Sequence, residues 1–200
     1  MRPVRGFASS LRRTALDLSA LDRALYAAVA ATPTPTLDTA LRRLSGAADH
    51  SKISFAVAGL LSLRGGAPRT AALLGVGAIA VASAGANLLG KNLLPRHRPD
   101  RDAAQVPWAR QVPMPGSTSF PSGHSASAFA FATAVGCELP WTAAPLSLLA
   151  ATVAYSRVHT GVHYPADVAA GSVLGVAAAA AVIHLARRRA GCGGCGGCGG

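Results

Sequence analysis

Charge is scarce in this chain: Asp, Glu, Lys and Arg make up only 14% of its 200 residues, against 50% that are hydrophobic. A soluble domain normally carries about 25% charged residues to keep its surface in water. With a mean hydropathy of +0.35, the shortage argues against an ordinary soluble globule and for a chain that crosses a membrane several times. Acidic residues are scarcer still, 8 against 19 Lys and Arg, for a formal net charge of +11. Aromatic residues are few as well, at 5%. No basic face interleaved with aromatics and no nucleic-acid module is recognisable, which argues against nucleic acid as a partner. The N-terminus lacks the unbroken apolar core of a cleaved signal peptide, because Asp17, Asp22 and Arg23 interrupt it. Cysteine is nearly confined to the tail, where Cys192, Cys195 and Cys198 sit in a Gly-Cys-Gly-Gly repeat. That repeat has no second ligand cluster, so residues 190–200 read as a disordered low-complexity tail and no metal site is expected. Cys137, near the end of an apolar helix, reads as a small packing residue.

The apolar segments set the organisation. Residues 15–31, with Leu18, Leu21 and Leu25, and residues 37–44, with Leu37, Leu41 and Leu44, have helical spacing around Pro33 and Pro35. They predict two amphipathic helices at a membrane interface, within a basic N-terminal region covering 1–50. The membrane-embedded part, 51–189, starts with a short apolar stretch from Ile53 to Leu63 and continues with a clear span from Ala71 to Leu94. Gly75, Gly77, Gly85 and Gly90 on that span allow close helix approach, and Pro95 should end it. The polar, proline-rich stretch 96–120 cannot cross a bilayer and must return to the side it left. Helices over 122–137 and 142–155, joined by a tight turn, form an antiparallel hairpin. The last span, about 165–186, ends in Arg187, Arg188 and Arg189, a cytoplasmic stop by the positive-inside rule. The expected fold is all-α: a multi-span transmembrane bundle of about five spans with N-terminal amphipathic helices. The polar stretches between spans then fall on the extracytoplasmic face.

Three of those stretches carry chemistry. Lys91 and Arg98 lie across a helix end, with Pro99 behind, and two cations in one mouth bind phosphate oxygens. A snorkelling Lys91 and a flanking Arg98 would serve equally well in isolation. Pro121, Ser122, Gly123 and His124 open an apolar helix whose first free amides form an anion cradle, although a plain N-cap also explains Ser122. Arg157, His163 and Asp167 follow the hairpin, with Pro165 suited to a first helical turn. Asp167, four residues after His163, can reach back to Nδ1 and leave Nε2 free to attack; a helix-start Asp beside an interfacial His is the simpler alternative. Among weaker candidates, His97 and His159 read as solvated loop positions, Asn87 as bonded to a neighbouring helix, and Trp108 and Trp141 as interfacial anchors.

In order and spacing these stretches resemble the three motifs of the type 2 phosphatidic acid phosphatase family, which also includes vanadium haloperoxidases. Lys-x6-Arg-Pro matches Lys91 to Pro99, Pro-Ser-Gly-His matches 121–124, and Ser-Arg-x5-His-x3-Asp matches 156–167. The likeness covers roughly residues 37–186, and departs from the six spans common in the family at the N-terminus. It implies that Lys91, Arg98 and Arg157 clamp a phosphate that Ser122 and Gly123 hydrogen-bond. His163 would be the nucleophile, Asp167 its orienter, and His124 the acid that protonates the leaving group and then activates water. No metal and no cofactor is implied. The expected activity is hydrolysis of a lipid phosphomonoester or diphosphate at the cell membrane. Candidate substrates are polyprenyl phosphates, phosphatidic acid, phosphatidylglycerophosphate and polyprenyl-phosphosugar phosphates. The Ala- and Arg-rich composition resembles that of high-GC bacterial proteins, which favours envelope lipids. A vanadate-dependent haloperoxidase is the alternative enzyme, disfavoured by the apolar spans; a non-catalytic lipid-phosphate transporter is the other, disfavoured by the His163 and Asp167 pair.

Overall fold

The computed structural model describes residues 4–93 and 95–193, with side chains placed at 10, 13–14, 16–88 and 95–190. The described residues form helices α1 (Val4–Ala31), α2 (Pro35–Ala47), α3 (Lys52–Ser62), α4 (Gly66–Leu93), α5 (Gly123–Glu138), α6 (Pro140–His159) and α7 (Pro165–Gly193). Single 3₁₀ turns stand at Asp49–Ser51 and Trp108–Arg110. The tail residues 194–200 and the side chain of Lys91 lie outside the described residues.

Small side chains determine how closely the bundle packs. Ala78 and Ala82 of α4, Ala126, Ala130 and Ala134 of α5, and Ala179 of α7 are fully buried against one another. Helices that meet through alanine and glycine bring their backbones together, which supplies dispersion contact where water expulsion offers nothing. A Cβ on Gly75 would lie 2.7 Å from the Phe131 ring, and one on Gly175 would strike the Ala126 carbonyl. α5 is the central helix, packed on α4, α6 and α7. Over α3, the Phe131 end of the core is filled by Ala58, Leu61, Ile79 and Val135.

The large apolar residues face the other way. Leu60, Leu73, Leu88, Leu148, Val173 and Leu185 are all more than half exposed, the inverse of a soluble core and the pattern a hydrocarbon solvent requires. Among the described residues, two helices are long and apolar enough to cross a membrane, over Gly66–Leu88 and Pro165–Ala190.

Both N-terminal helices form as expected, with α1 reaching further back than the apolar spacing indicated. Leu18, Leu21 and Leu25 point outward, while Asp22, Tyr26 and Ala30 face the protein. Arg110 joins this region to the bundle. Its guanidinium, 1% exposed, donates to the last carbonyls of α1 and the turn beyond, Val29 at 3.1 Å, Ala30 at 3.3 Å and Thr32 at 2.6 Å. It also pairs with Asp38 of α2 at 2.9 Å, and Asp38 in turn meets His159 at the end of α6 at 3.1 Å. His159 is therefore a buried hydrogen-bond partner of Asp38, not a solvated loop residue. Two further readings are corrected. Cys137 is exposed, on the outer side of α5, and Asn87 bonds the Ser83 carbonyl of its own helix at 2.9 Å.

Candidate active site

α6 ends where a glycine is needed. Gly161 takes φ +73°, a left-handed turn that glycine adopts without a Cβ penalty. The turn folds the next residues back so that the His163 amide donates to the Arg157 carbonyl at 3.2 Å. His163 thus returns over the last turn of α6 instead of continuing outward. Pro165 then starts α7, as its fixed φ and missing N–H favour. Asp167, in the first turn of α7, is completely buried beside the His163 ring.

The second and third motifs are joined backbone to backbone, because the Ser122 amide donates to the Asp167 carbonyl at 2.9 Å. Ser122 is the N-cap of α5, the alternative to a phosphate-binding hydroxyl, with its Oγ accepting from the Ser125 amide and hydroxyl. The hydroxyl is buried in that turn. The amides of Gly123 and His124, first in the helix, have no intrahelical acceptor, and both residues line a cleft of about 240 Å³ together with Arg98 and His163.

His163 is 3% exposed and held from two sides. Nη1 of Arg98 lies 3.2 Å from Nε2, and Oδ2 of Asp167 lies 3.6 Å from Nδ1. Guanidinium nitrogens only donate, so the contact with Arg98 selects the tautomer with its proton on Nδ1, on the Asp167 side, and its lone pair on Nε2, where it accepts from Arg98 at the edge of the cleft. The 3.6 Å separation is longer than a hydrogen bond. Asp167 spends its oxygens on other donors: the Tyr164 amide at 2.9 Å, the Ser119 hydroxyl and Arg96 Nη1 at 2.7 Å. Burial and the neighbouring positive charges of Arg98 and Arg157 hold the His163 imidazolium well below its ordinary pKa, more than Asp167 offsets.

Arg98 is anchored by carbonyls of Ser117, Thr118 and Val162 at 2.8 to 3.2 Å. Arg157, 2% exposed, donates to Ser45 Oγ at 2.6 Å and lies 3.8 Å from Asp49. His124 Nε2 meets Asp49 at 2.8 Å. Asp49 is presented by a turn in which His50 and Ser51 both take left-handed backbone angles, φ +55° and +58°, a conformation that costs residues with a Cβ about 1 kcal/mol each.

The structure therefore brings Arg98, Gly123, His124 and His163 around one cleft, with Asp167 behind His163. Arg157 sits beneath, turned toward α2. Lys91 lies on the last turns of α4, its side chain outside the described residues. Sequence reasoning missed Asp22, Asp49, Arg96 and Ser119. Arg96 falls in the variable part of the first motif and Ser119 two residues before Pro121, so proximity to the motifs was the available signal; Asp22 and Asp49 carried none.

The all-helical bundle with outward-facing leucines encloses cations, helix-start amides and a histidine held between Arg98 and Asp167, an arrangement able to bind an anion. The chain belongs to the PAP2 superfamily, whose family model matches residues 70–190. It is 42% identical over 96 residues to decaprenylphosphoryl-5-phosphoribose phosphatase of Mycobacterium tuberculosis, a match covering 48% of this chain. The chain spans about half the length of that relative, 50%. Among solved structures, Aquifex aeolicus LpxE has a TM-score of 0.69 at 24% identity, covering 82% of this chain and 95% of that one. The transmembrane PAP2-type phosphatidylglycerolphosphate phosphatase of Bacillus subtilis has a TM-score of 0.66 at 22% identity, covering 86% and 87%. These two share the fold of this chain.

Proposed function

We propose that this chain is a lipid phosphate phosphatase that works through a phosphohistidine on His163, on a substrate whose phosphate is carried by a polyprenyl or comparable lipid. The observation that carries the reading is the placement of His163 at the cleft, with Arg98 3.2 Å from its Nε2 and Asp167 3.6 Å from its Nδ1.

In the first step, Arg98 turns its N–H from Nε2 to the phosphate oxygens, Nε2 attacks phosphorus and the bond to the lipid oxygen breaks. As the imidazole becomes cationic, Asp167 stabilises the Nδ1–H side. Charge growing on the phosphoryl oxygens is met by Arg98 and by the free amides of Gly123 and His124, with Lys91 adding its charge from α4 and the buried Arg157 acting through the field from beneath. His124 protonates the departing lipid oxygen; Asp49 holds one of its ring nitrogens and leaves the other for that transfer. In the second step His124 takes a proton from water, which attacks phosphorus and frees His163. Fixed cations and amides supply the charge stabilisation, so the reaction calls on no metal. Ser122 acts through its cap: it sets the first turn of α5, and with it the cradle.

The decaprenylphosphoryl-5-phosphoribose on which the mycobacterial relative acts motivates the lipid class and favours an envelope lipid. The Arg187 to Arg189 run sits at the opposite end of α7 from His163 and Asp167, which supports an extracytoplasmic site and a multi-pass chain by the positive-inside rule.

The test is phosphate release from a panel of lipid phosphates in detergent, with chelator present, for wild type and His163→Ala. Chelator-resistant release that the variant loses by about three orders of magnitude or more is expected. Full activity in the variant would refute the phosphohistidine, and activity only on added metal would refute the cation-and-amide scheme.

A further inference from the structure

Asp22 belongs to α1, outside the residues that the family model matches, yet it is tied to the centre of the site. Arg96 bridges two carboxylates: Nη1 donates to Asp167 Oδ1 at 2.7 Å and Nη2 to Asp22 Oδ2 at 2.5 Å. The other oxygen of Asp22 accepts from the Ala166 amide at 2.8 Å, in the first turn of α7. The guanidinium lies over the Tyr164 ring, 4.1 Å from its centroid, and both carboxylates are buried. An amphipathic helix whose leucines face outward thus delivers one charge to the back of the candidate catalytic pair.

We propose that Asp22 and Arg96 form a charge relay that sets how much negative charge Asp167 presents to His163, which makes α1 part of the catalytic apparatus. The proposal rests on the reading of His163 as nucleophile. Charge counting gives it a sign. Asp167 and Arg96 alone cancel, and an imidazolium at His163 would then face no net negative charge. Asp22 restores one negative charge to the group of three. The relay matters because the other charged groups around His163 oppose its cationic form: Arg98 from the 96–120 loop, Arg157 from α6 and, when protonated, His124 from α5. Asp167 of α7 is the carboxylate that faces it. The side chain of Lys91 on α4 lies outside the described residues. Asp22 and Arg96 are positioning residues in this scheme, acting on His163 through Asp167.

A purely structural tie between α1 and α7 would lower stability or activity without moving a titration in a set direction. The relay moves it in opposite directions for its two members. Asp22→Asn lets Arg96 neutralise Asp167, disfavours the imidazolium, and shifts the acid limb of kcat/KM to lower pH. Arg96→Gln releases both carboxylates, favours the imidazolium, and shifts the limb to higher pH. Each shift should be about half to one pH unit, the size a neighbouring charge exerts through one intermediary, and Arg96→Lys should restore the wild-type position.

The experiment is the pH dependence of kcat/KM toward short-chain phosphatidic acid in detergent for these three variants, with His163→Ala in parallel and thermal unfolding as the check on fold. Opposite shifts with rescue by Lys support the relay. Shifts of the same sign, or none, overturn it. If Asp22→Asn does not fold, Arg96→Gln alone decides, because a limb that stays put or moves down with Arg96 neutralised overturns the relay. Activity retained by His163→Ala would overturn the nucleophile reading instead, whereas its loss with unmoved limbs in the other variants would overturn the relay alone.

Discussion

His163 is enclosed by groups that keep it neutral and aimed. Burial and two nearby arginines hold its pKa below the ordinary value of about 6.5, so the imidazole stays unprotonated, and competent to attack, on the acid side of neutrality. The sign follows: a depressed pKa preserves the neutral nucleophile as pH falls, and activity is lost only when pH drops through that lowered value. The acid limb of kcat/KM for the wild type is therefore expected below pH 6.5, and a pH–rate profile checks it. The motif residues themselves were legible in the sequence, because their types and spacing are local. Their partners were not. Asp22 and Arg96 stand 74 positions apart and His124 and Asp49 75 apart, and nothing in a linear pattern marks an acidic residue on an amphipathic helix as inward-facing. The His163 and Asp167 spacing of four was readable, but the competition of Arg96, Ser119 and the Tyr164 amide for the same carboxylate was not.

At the scale of elements, the close contact of α5 with α7 fixes the site. The Ser122 amide bonds the Asp167 carbonyl, and Gly171 and Gly175 leave room for the Ser122 and Ala126 carbonyls to approach α7. A methyl group at either position meets backbone, which cannot rotate away. Gly175→Ala should lower stability by about 2 kcal/mol, the range of overpacking substitutions, as read by thermal unfolding in detergent. Gly171→Ala, next to the site, should also lower kcat by displacing the start of α5 from Asp167, and steady-state kinetics reads that. Helix positions came readily from apolar runs and prolines: Pro95 follows the end of α4 and Pro165 starts α7. The hairpin turn is tighter than the sequence suggested, with Leu139 alone between α5 and α6, because Pro140 serves as a first helical residue where a turn residue was expected. The outward face of α1 was legible as apolar, but its partner was not: in a lipid setting the leucines meet hydrocarbon and the polar face meets protein, the reverse of a soluble amphipathic helix.

Over the whole molecule, an Ala and Gly interior lies within a Leu and Val exterior, with the buried ionised groups gathered at the end that holds the cleft. Arg110 stabilises that end by joining α1, α2 and α6 through Asp38 and His159. Arg110→Ala leaves the buried Asp38 without its guanidinium and should destabilise the protein by about 3 to 5 kcal/mol, seen as a lowered midpoint of thermal unfolding. Sidedness can be read on a cysteine-free background. Thr118→Cys, beside the cleft, should react with an impermeant maleimide added to intact cells, and Arg188→Cys should react only after lysis.

The central claim is a covalent bond between His163 and phosphorus, and rapid quenching of the enzyme with a phosphorus-labelled polyprenyl phosphate tests it most directly. The label should be found on the protein in an acid-labile, base-stable form, mapped to the peptide that contains His163, and absent from His163→Ala. Turnover by the wild type with no labelled protein at any quench time, or a label that persists in His163→Ala, would contradict the account.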